Sequence, residues 1–202
     1  MNKLGVHALV WEAGWSRDEC ARAIASSAEV GYDFMEAPAL DPSLIDPEFT
    51  RRQLEKSGIG INFSLGLDFD TDISSGDKEK GRRGKAKLEQ AIAVCRDCGG
   101  DYIGGILHSA FGKYTEPTTA AGVAQSVDIL RQVAETAAKS NITLVLEVVN
   151  RYESNVLNTA AQAVEMCKRI GMPNVKVHLD VYHMNIEESD IQAAILETGD
   201  YL

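Results

Sequence analysis

The sequence lacks any apolar run approaching the ~18 residues that a membrane span requires. Its first residues, Met-Asn-Lys-Leu-Gly-Val-His, contain no long apolar stretch and no small-residue cleavage site. No signal peptide is therefore expected, and a cytoplasmic location is. Cysteine is scarce, with four in 202 residues. Cys95 and Cys98 form a C-x-x-C, but it falls inside a helical pattern with no second pair at zinc-finger spacing, which favours reduced structural thiols. Positive charge is in deficit, at 20 Lys and Arg against 30 Asp and Glu, for a net charge of −10. That balance argues against a phosphate-backbone partner, which needs a basic face, and suits an enzyme acting on a small neutral substrate. Neither G-x-G-x-x-G nor G-x-x-x-x-G-K-[ST] occurs, so there is no phosphate cradle.

What is present is alternation. Strand-like apolar runs at Leu4–Val10, Tyr32–Ala37, Gly60–Leu65, Tyr102–Leu107, Ile142–Leu146 and Val175–Leu179 are each followed by an amphipathic helical stretch. Ser16-Arg17-Asp18-Glu19 reads as a capping box opening the first helix, which closes near Gly31. Asp46-Pro47 opens the second, as N-cap and first helical residue, and Gly58 ends it. A polar loop, 68–77, leads into a long helix ending at Gly99-Gly100, and Thr118–Ser140 is the next. Asn158-Thr159 starts a fifth that closes at Gly171, and a last short helix spans about Ile191–Glu197. Mostly apolar strands alternating with helices define an α/β fold with a parallel sheet, either an eight-fold (β/α)8 barrel or an open doubly wound sheet. The whole chain reads as a single domain carrying about six βα units.

Ionisable residues sit where strands end: Glu36, His108, Glu147 and Asp180. In a parallel barrel those ends share the face where chemistry occurs. A carboxylate directly after Ile-Thr-Leu-Val-Leu is costly to bury unpaired and calls for a metal, a cation or a hydrogen-bond network. Glu147-Val-Val-Asn-Arg-Tyr-Glu153 sets a second carboxylate in the loop above that strand end, with Arg151 nearby to anchor the loop. Asp180-Val-Tyr-His183 pairs a strand-end carboxylate with an imidazole three residues later. Oxygen ligands with at most one imidazole suit Mn²⁺, Mg²⁺ or Co²⁺. Glu36 is expected in a structural ion pair and His178 packed within its strand, while Glu187-Glu188 reads as solvated surface. Trp11, Trp15 and Phe111 fall in loops at the same face and are equally consistent with an apolar wall or with ordinary loop packing.

Two blocks are more specific. Leu146-Glu-Val-Val-Asn-Arg-Tyr-Glu153 with Val156-Leu-Asn-Thr-Ala160 resembles the fifth-strand signature of tagatose/psicose 3-epimerases. Asn174-Val-Lys-Val-His-Leu-Asp-Val-Tyr-His-Met-Asn-Ile-Glu-Glu188 resembles their sixth-strand signature, and Gly104-Gly-Ile-Leu-His-Ser109 their fourth-strand end. The resemblance implies a xylose-isomerase-like (β/α)8 barrel and a metal-dependent inversion at C3 of free ketohexoses such as tagatose, fructose and psicose. It implies Glu147 as metal ligand and acid/base, Asp180 as a second metal ligand, and Glu153 and His183 as residues holding the ketose. His108 lies at the fourth-strand end, and His7 at a pocket position where the family often has tyrosine; both are expected to bind substrate. Mn²⁺ is the metal the family most favours, with Co²⁺ or Mg²⁺ as alternatives, and a homo-oligomer, dimer or tetramer, is implied.

The resemblance also implies a metal-binding histidine after a seventh strand and a second acid/base after an eighth, neither of which aligns within these 202 residues. The expectation is a barrel incomplete at its C-terminal side, with the 202-residue chain alone inactive. Two alternatives stand beside a ketose 3-epimerase. One is an aldose–ketose or hydroxypyruvate-type isomerase on the same fold, and the other is a catalytically incomplete fragment.

Overall fold

The computed structural model describes residues 2–202. Six strands, β1 (Gly5–His7), β2 (Phe34–Pro38), β3 (Gly60–Ser64), β4 (Tyr102–Gly105), β5 (Thr143–Val148) and β6 (Val175–Leu179), lie in one parallel sheet in chain order. Five α-helices alternate with them, α1 (Arg17–Val30), α2 (Pro47–Ser57), α3 (Lys78–Cys98), α4 (Ala120–Ala138) and α5 (Ala160–Ile170), and two more, α6 (Val181–Glu187) and α7 (Ile191–Thr198), follow β6. No helix among the described residues is long and apolar enough to cross a membrane. The chain forms two compact units. One holds the residues up to Leu65 with Gln90–Ile103; the other holds Gly66–Glu89 with Gly104–Leu202.

In the first unit, β1 pairs with β2 and β2 with β3 in parallel register, Val6 opposite Met35 and Met35 opposite Ile61. The Ser16–Glu19 capping box is formed on both sides, and Asp46 accepts from the Phe49 amide with Pro47 in the first turn. β1 is shorter than the apolar run suggests. Nδ1 of His7 accepts the Leu9 amide and turns the chain into a 3-10 helix over Ala8–Val10. His7 Nε2 lies 3.1 Å from Ser64 Oγ and 3.9 Å from Glu36 Oε1, and Glu36 also accepts from the Tyr102 hydroxyl. Trp11 spends its indole N–H on Ser27 within the same unit. Cys95 and Cys98 are free and buried on α3, and burial pushes both thiols up to about 12, which fits structural thiols rather than reactive ones.

In the second unit, β5 and β6 pair in parallel, with Glu147 opposite His178. Along β5, Leu144, Leu146 and Val148 are buried while Thr143, Val145 and Glu147 share the less covered face. Thr159 and Gln162 form a second capping box at the start of α5. β4 stops at Gly105, whose φ is +108°, so His108 stands beyond the strand in the following loop and not at the strand end. Glu147 likewise lies inside β5, one residue before its end. The polar loop 66–77 is pressed directly onto two helices. A Cβ at Gly84 on α3 would collide with the Thr71 carbonyl oxygen, and one at Gly122 on α4 with that of Ser74.

Gly84→Ala therefore inverts the usual helix preference. Alanine gains about 1 kcal/mol of helix propensity over glycine. Forcing a methyl into a backbone carbonyl costs about 1–3 kcal/mol, so a net loss of stability is expected. A lower denaturant midpoint for Gly84→Ala checks this; a midpoint raised above that of the parent would show that the loop yields.

Candidate active site

β5, the turn that follows it and α6 bring four of the expected residues together. Nε2 of His183 lies 3.7 Å from Glu147 Oε1, 3.8 Å from Glu153 Oε2 and 3.9 Å from Asp180 Oδ2. His183 is only 6% exposed. Glu147 is held by strand geometry and Asp180 by capping, since its Oδ1 accepts the Tyr182 amide at the start of α6 and its Oδ2 faces His183.

The ring of His183 is set by Asn150. Asn150 Oδ1 accepts the Tyr152 amide, which leaves its Nδ2 to donate to Glu153 Oε1 at 3.0 Å and to face His183 Nδ1 at 2.9 Å. The Asn150 peptide N–H, which can only donate, also points at Nδ1, at 3.3 Å. Nδ1 is thus an acceptor, and the neutral imidazole carries its proton on Nε2, aimed at the three carboxylates.

This decides what the cluster can hold. One donor atom each from Glu147, Asp180 and His183 lies within 4.8 Å of the other two, a spacing that would admit a metal ion. A metal-ligating histidine normally gives its remote N–H to an acceptor, however, which frees the other nitrogen for the ion. Here the remote nitrogen receives hydrogen bonds. The fit is therefore to a hard divalent cation on the carboxylates of Glu147 and Asp180, with His183 as a hydrogen-bond donor beside them.

α6 lies outside the helices that hydrophobic periodicity predicts, and its anchors differ from expectation. Glu187 is not solvated: its side chain is 5% exposed and grips Arg151 through Nε and Nη2 and through the Arg151 amide. The hydrogen bond to Arg151 holds the Glu187 carboxyl below its usual range. Glu188 is a structural acceptor too, taking the Ala160 amide at 2.7 Å. Met184 packs with Ala160 and Ala194. Arg151 thus anchors the turn to α6.

His108 is a different case from His183. It has no exposed surface, and neither ring nitrogen has a hydrogen-bond partner among the described residues, while Ser126 Oγ donates to its carbonyl. Burial pushes its pKa down to about 3, so the folded ring stays neutral. The unfolded ring protonates near 6.5. Between those values the unfolded chain binds the extra proton, so the stability contributed by this residue is present above pH 6.5 and falls as pH drops toward 3. The slope reaches about 1.4 kcal/mol per pH unit. Urea midpoints of the parent and His108→Phe at pH 7.0 and 4.5 are expected to show a smaller acid loss in the variant; equal losses would mean that His108 is not the acid-labile group.

A parallel α/β sheet carrying an acid–imidazole cluster near the C-terminal ends of β5 and β6 has the arrangement seen in barrel enzymes. Residues 24–202 match the xylose isomerase-like TIM barrel family, and the chain belongs to it. The ketose 3-epimerase of Arthrobacter globiformis is 40% identical over 200 residues, covering 99% of this chain and 69% of that protein. The L-ribulose 3-epimerase of Mesorhizobium japonicum is 41% identical over 195 residues, covering 96% of this chain and 66% of its own length. A crystal structure of D-allulose 3-epimerase from Methylomonas sp. in complex with D-allulose superposes with a TM-score of 0.97 at 38% identity, covering 100% of this chain and 71% of that one. The chain thus spans about two thirds of the length of these relatives. They place it among the isomerases, as an epimerase.

Proposed function

We propose that the protein inverts C3 of a free ketose by carboxylate acid/base catalysis. The observation carrying this is the convergence of Glu147, Glu153 and Asp180 within 4 Å of one imidazole nitrogen. The proton at C3 lies α to the C2 carbonyl and is weakly acidic. Glu147 is the base that removes it from one face and the acid that returns one to that face in the reverse direction. Inversion also needs a second group acting on the opposite face of C3. Glu147 and Asp180 would hold a divalent ion, Mn²⁺ first among Mn²⁺, Co²⁺ and Mg²⁺. When bound, that ion would supply electrophilic polarisation of the C2 carbonyl and stabilise the cis-enediolate charge. His183, with its proton fixed on Nε2, donates to a substrate oxygen, and Glu153 accepts a sugar hydroxyl.

His108 offers a ligand no surface, so it is read as a packed residue within the loop after β4. The proposal rests on residues of the second unit, and His7 is engaged within the first. The deciding experiment incubates the full-length enzyme with D-fructose, D-tagatose or L-ribulose and Mn²⁺, and separates the products by chromatography. The C3 epimer supports the proposal. An aldose as the only product would hand the site to an aldose–ketose isomerase.

A further inference from the structure

Glu153 is held from two sides, and one of them leads away from the cluster. Asn150 Nδ2 fixes its carboxylate, whereas its backbone carbonyl accepts the Gly112 amide at 2.8 Å. The next residue, Ser154, is fully buried and shares a 2.8 Å hydrogen bond with Ser109 Oγ. Both partners belong to the loop after β4, which pairs in turn with the loop after β3. Phe111 donates to the Leu67 carbonyl, and Leu67 and Ala110 form a parallel bridge.

At the centre of this junction lies Asp72, a carboxylate 2% exposed. Its Oδ1 accepts the Ser74 amide at 2.8 Å, the Ser74 hydroxyl at 2.7 Å and the Ala110 amide at 3.3 Å; its Oδ2 accepts the Tyr114 hydroxyl at 2.7 Å. Tyr114 completes the ring by accepting the Ala110 amide at 2.9 Å. Burial and the adjoining Asp72 push the Tyr114 phenol upward, so it stays a donor. A carboxylate is well suited to gather four donors from two segments at one buried point, and each lost partner there leaves a costly unpaired group.

We infer that Asp72 is a positioning residue for Glu153: it locks the loop after β3 to residues 109–114, and that segment fixes the backbone of Glu153 and Ser154. The inference rests on the proposed role of Glu153 in holding the ketose. Glu153 would bind ground state and transition state alike, so its misplacement raises KM and leaves kcat nearly unchanged.

The test is a double-mutant cycle of Asp72→Ala with Glu153→Gln in the full-length enzyme, with steady-state kinetics on D-allulose and Mn²⁺. Hydrogen exchange of segments 109–114 and 150–156 is followed by mass spectrometry. Asp72→Ala is expected to raise KM about ten-fold with kcat within about two-fold, and to add nothing once Glu153 is Gln. Exchange in 150–156 is expected to quicken. Tyr114→Phe, which removes one hydroxyl, is expected to move KM and exchange in the same direction by less, and it decides the matter if Asp72→Ala does not fold. Unchanged exchange in 150–156 overturns the inference whatever the kinetics, as does a KM effect that multiplies with that of Glu153→Gln. Wild-type kinetics for Glu153→Gln, alongside quickened exchange in Asp72→Ala, would instead sink the role of Glu153 and leave the structural coupling standing.

Discussion

Glu147→Gln is expected to lower turnover at least ~10²-fold while the protein keeps its fold. The substitution preserves shape, so β5 retains Leu146 and Val148 in their buried positions on either side. It removes the group proposed to take the C3 proton, and it removes one charge from a cluster whose other members lie close to His183. The two losses separate experimentally. Deuterium incorporation at C3 from heavy water reports on proton abstraction, and a Mn²⁺ titration reports on the ligand. Wild-type deuterium incorporation in Glu147→Gln starting from either C3 epimer would remove it from the role of base, even if metal affinity fell.

Asp180→Asn should weaken Mn²⁺ binding by at least ~10²-fold with little loss of stability, since one of the two proposed charged ligands is neutralised. Asparagine is as good an N-cap as aspartate. Its amide oxygen can still take the Tyr182 amide that Asp180 Oδ1 accepts at 2.7 Å, so α6 should stay in place. Asp180→Ala lacks the cap as well and should lose about 1 kcal/mol more stability. Calorimetric titration of both variants, with their melting temperatures, distinguishes ligand from cap. Parental Mn²⁺ affinity in Asp180→Asn would show that Asp180 serves only the helix.

Local chemistry is what made much of the fold legible. Ser16 with Glu19, Asp46 with Pro47, and Thr159 with Gln162 cap helices through contacts three residues apart, and Gly31, Gly58 and Gly171 close helices in the left-handed region. β6 spans the apolar run Val175–Leu179 because capping by Asp180 starts α6 at the next residue. The strand ends were harder. Hydropathy does not reveal that His7 Nδ1 takes an amide from Leu9 or that Gly105 leaves the extended region, so β1 and β4 are shorter than their apolar runs.

Among the site residues, Glu147, Glu153, Asp180 and His183 stood out by type and spacing, and the structure brings them together. Asn150, Glu187 and Asp72 did not. Their partners lie 33, 36 and 42 residues away, at His183, Arg151 and Tyr114, and no local periodicity encodes such pairs. The capping pattern at Asp180-Val-Tyr was present as a signal for α6 and would have marked Glu187 and Glu188 as helix-end residues next to a neighbouring turn.

The grip of Glu187 on Arg151, and of Asn150 on His183, bears on the entropy of binding. A ketose bound as proposed would meet an imidazole whose proton position and ring plane are already chosen, because the turn after β5 and helix α6 are tied at two points. Freezing a mobile, rotamer-rich side chain costs a binding site about 0.5–1.5 kcal/mol each time. With that ordering completed when the chain folds, little of the sugar's few hydrogen bonds is consumed in arranging the protein, and more remains to orient C3 against the proposed base, Glu147.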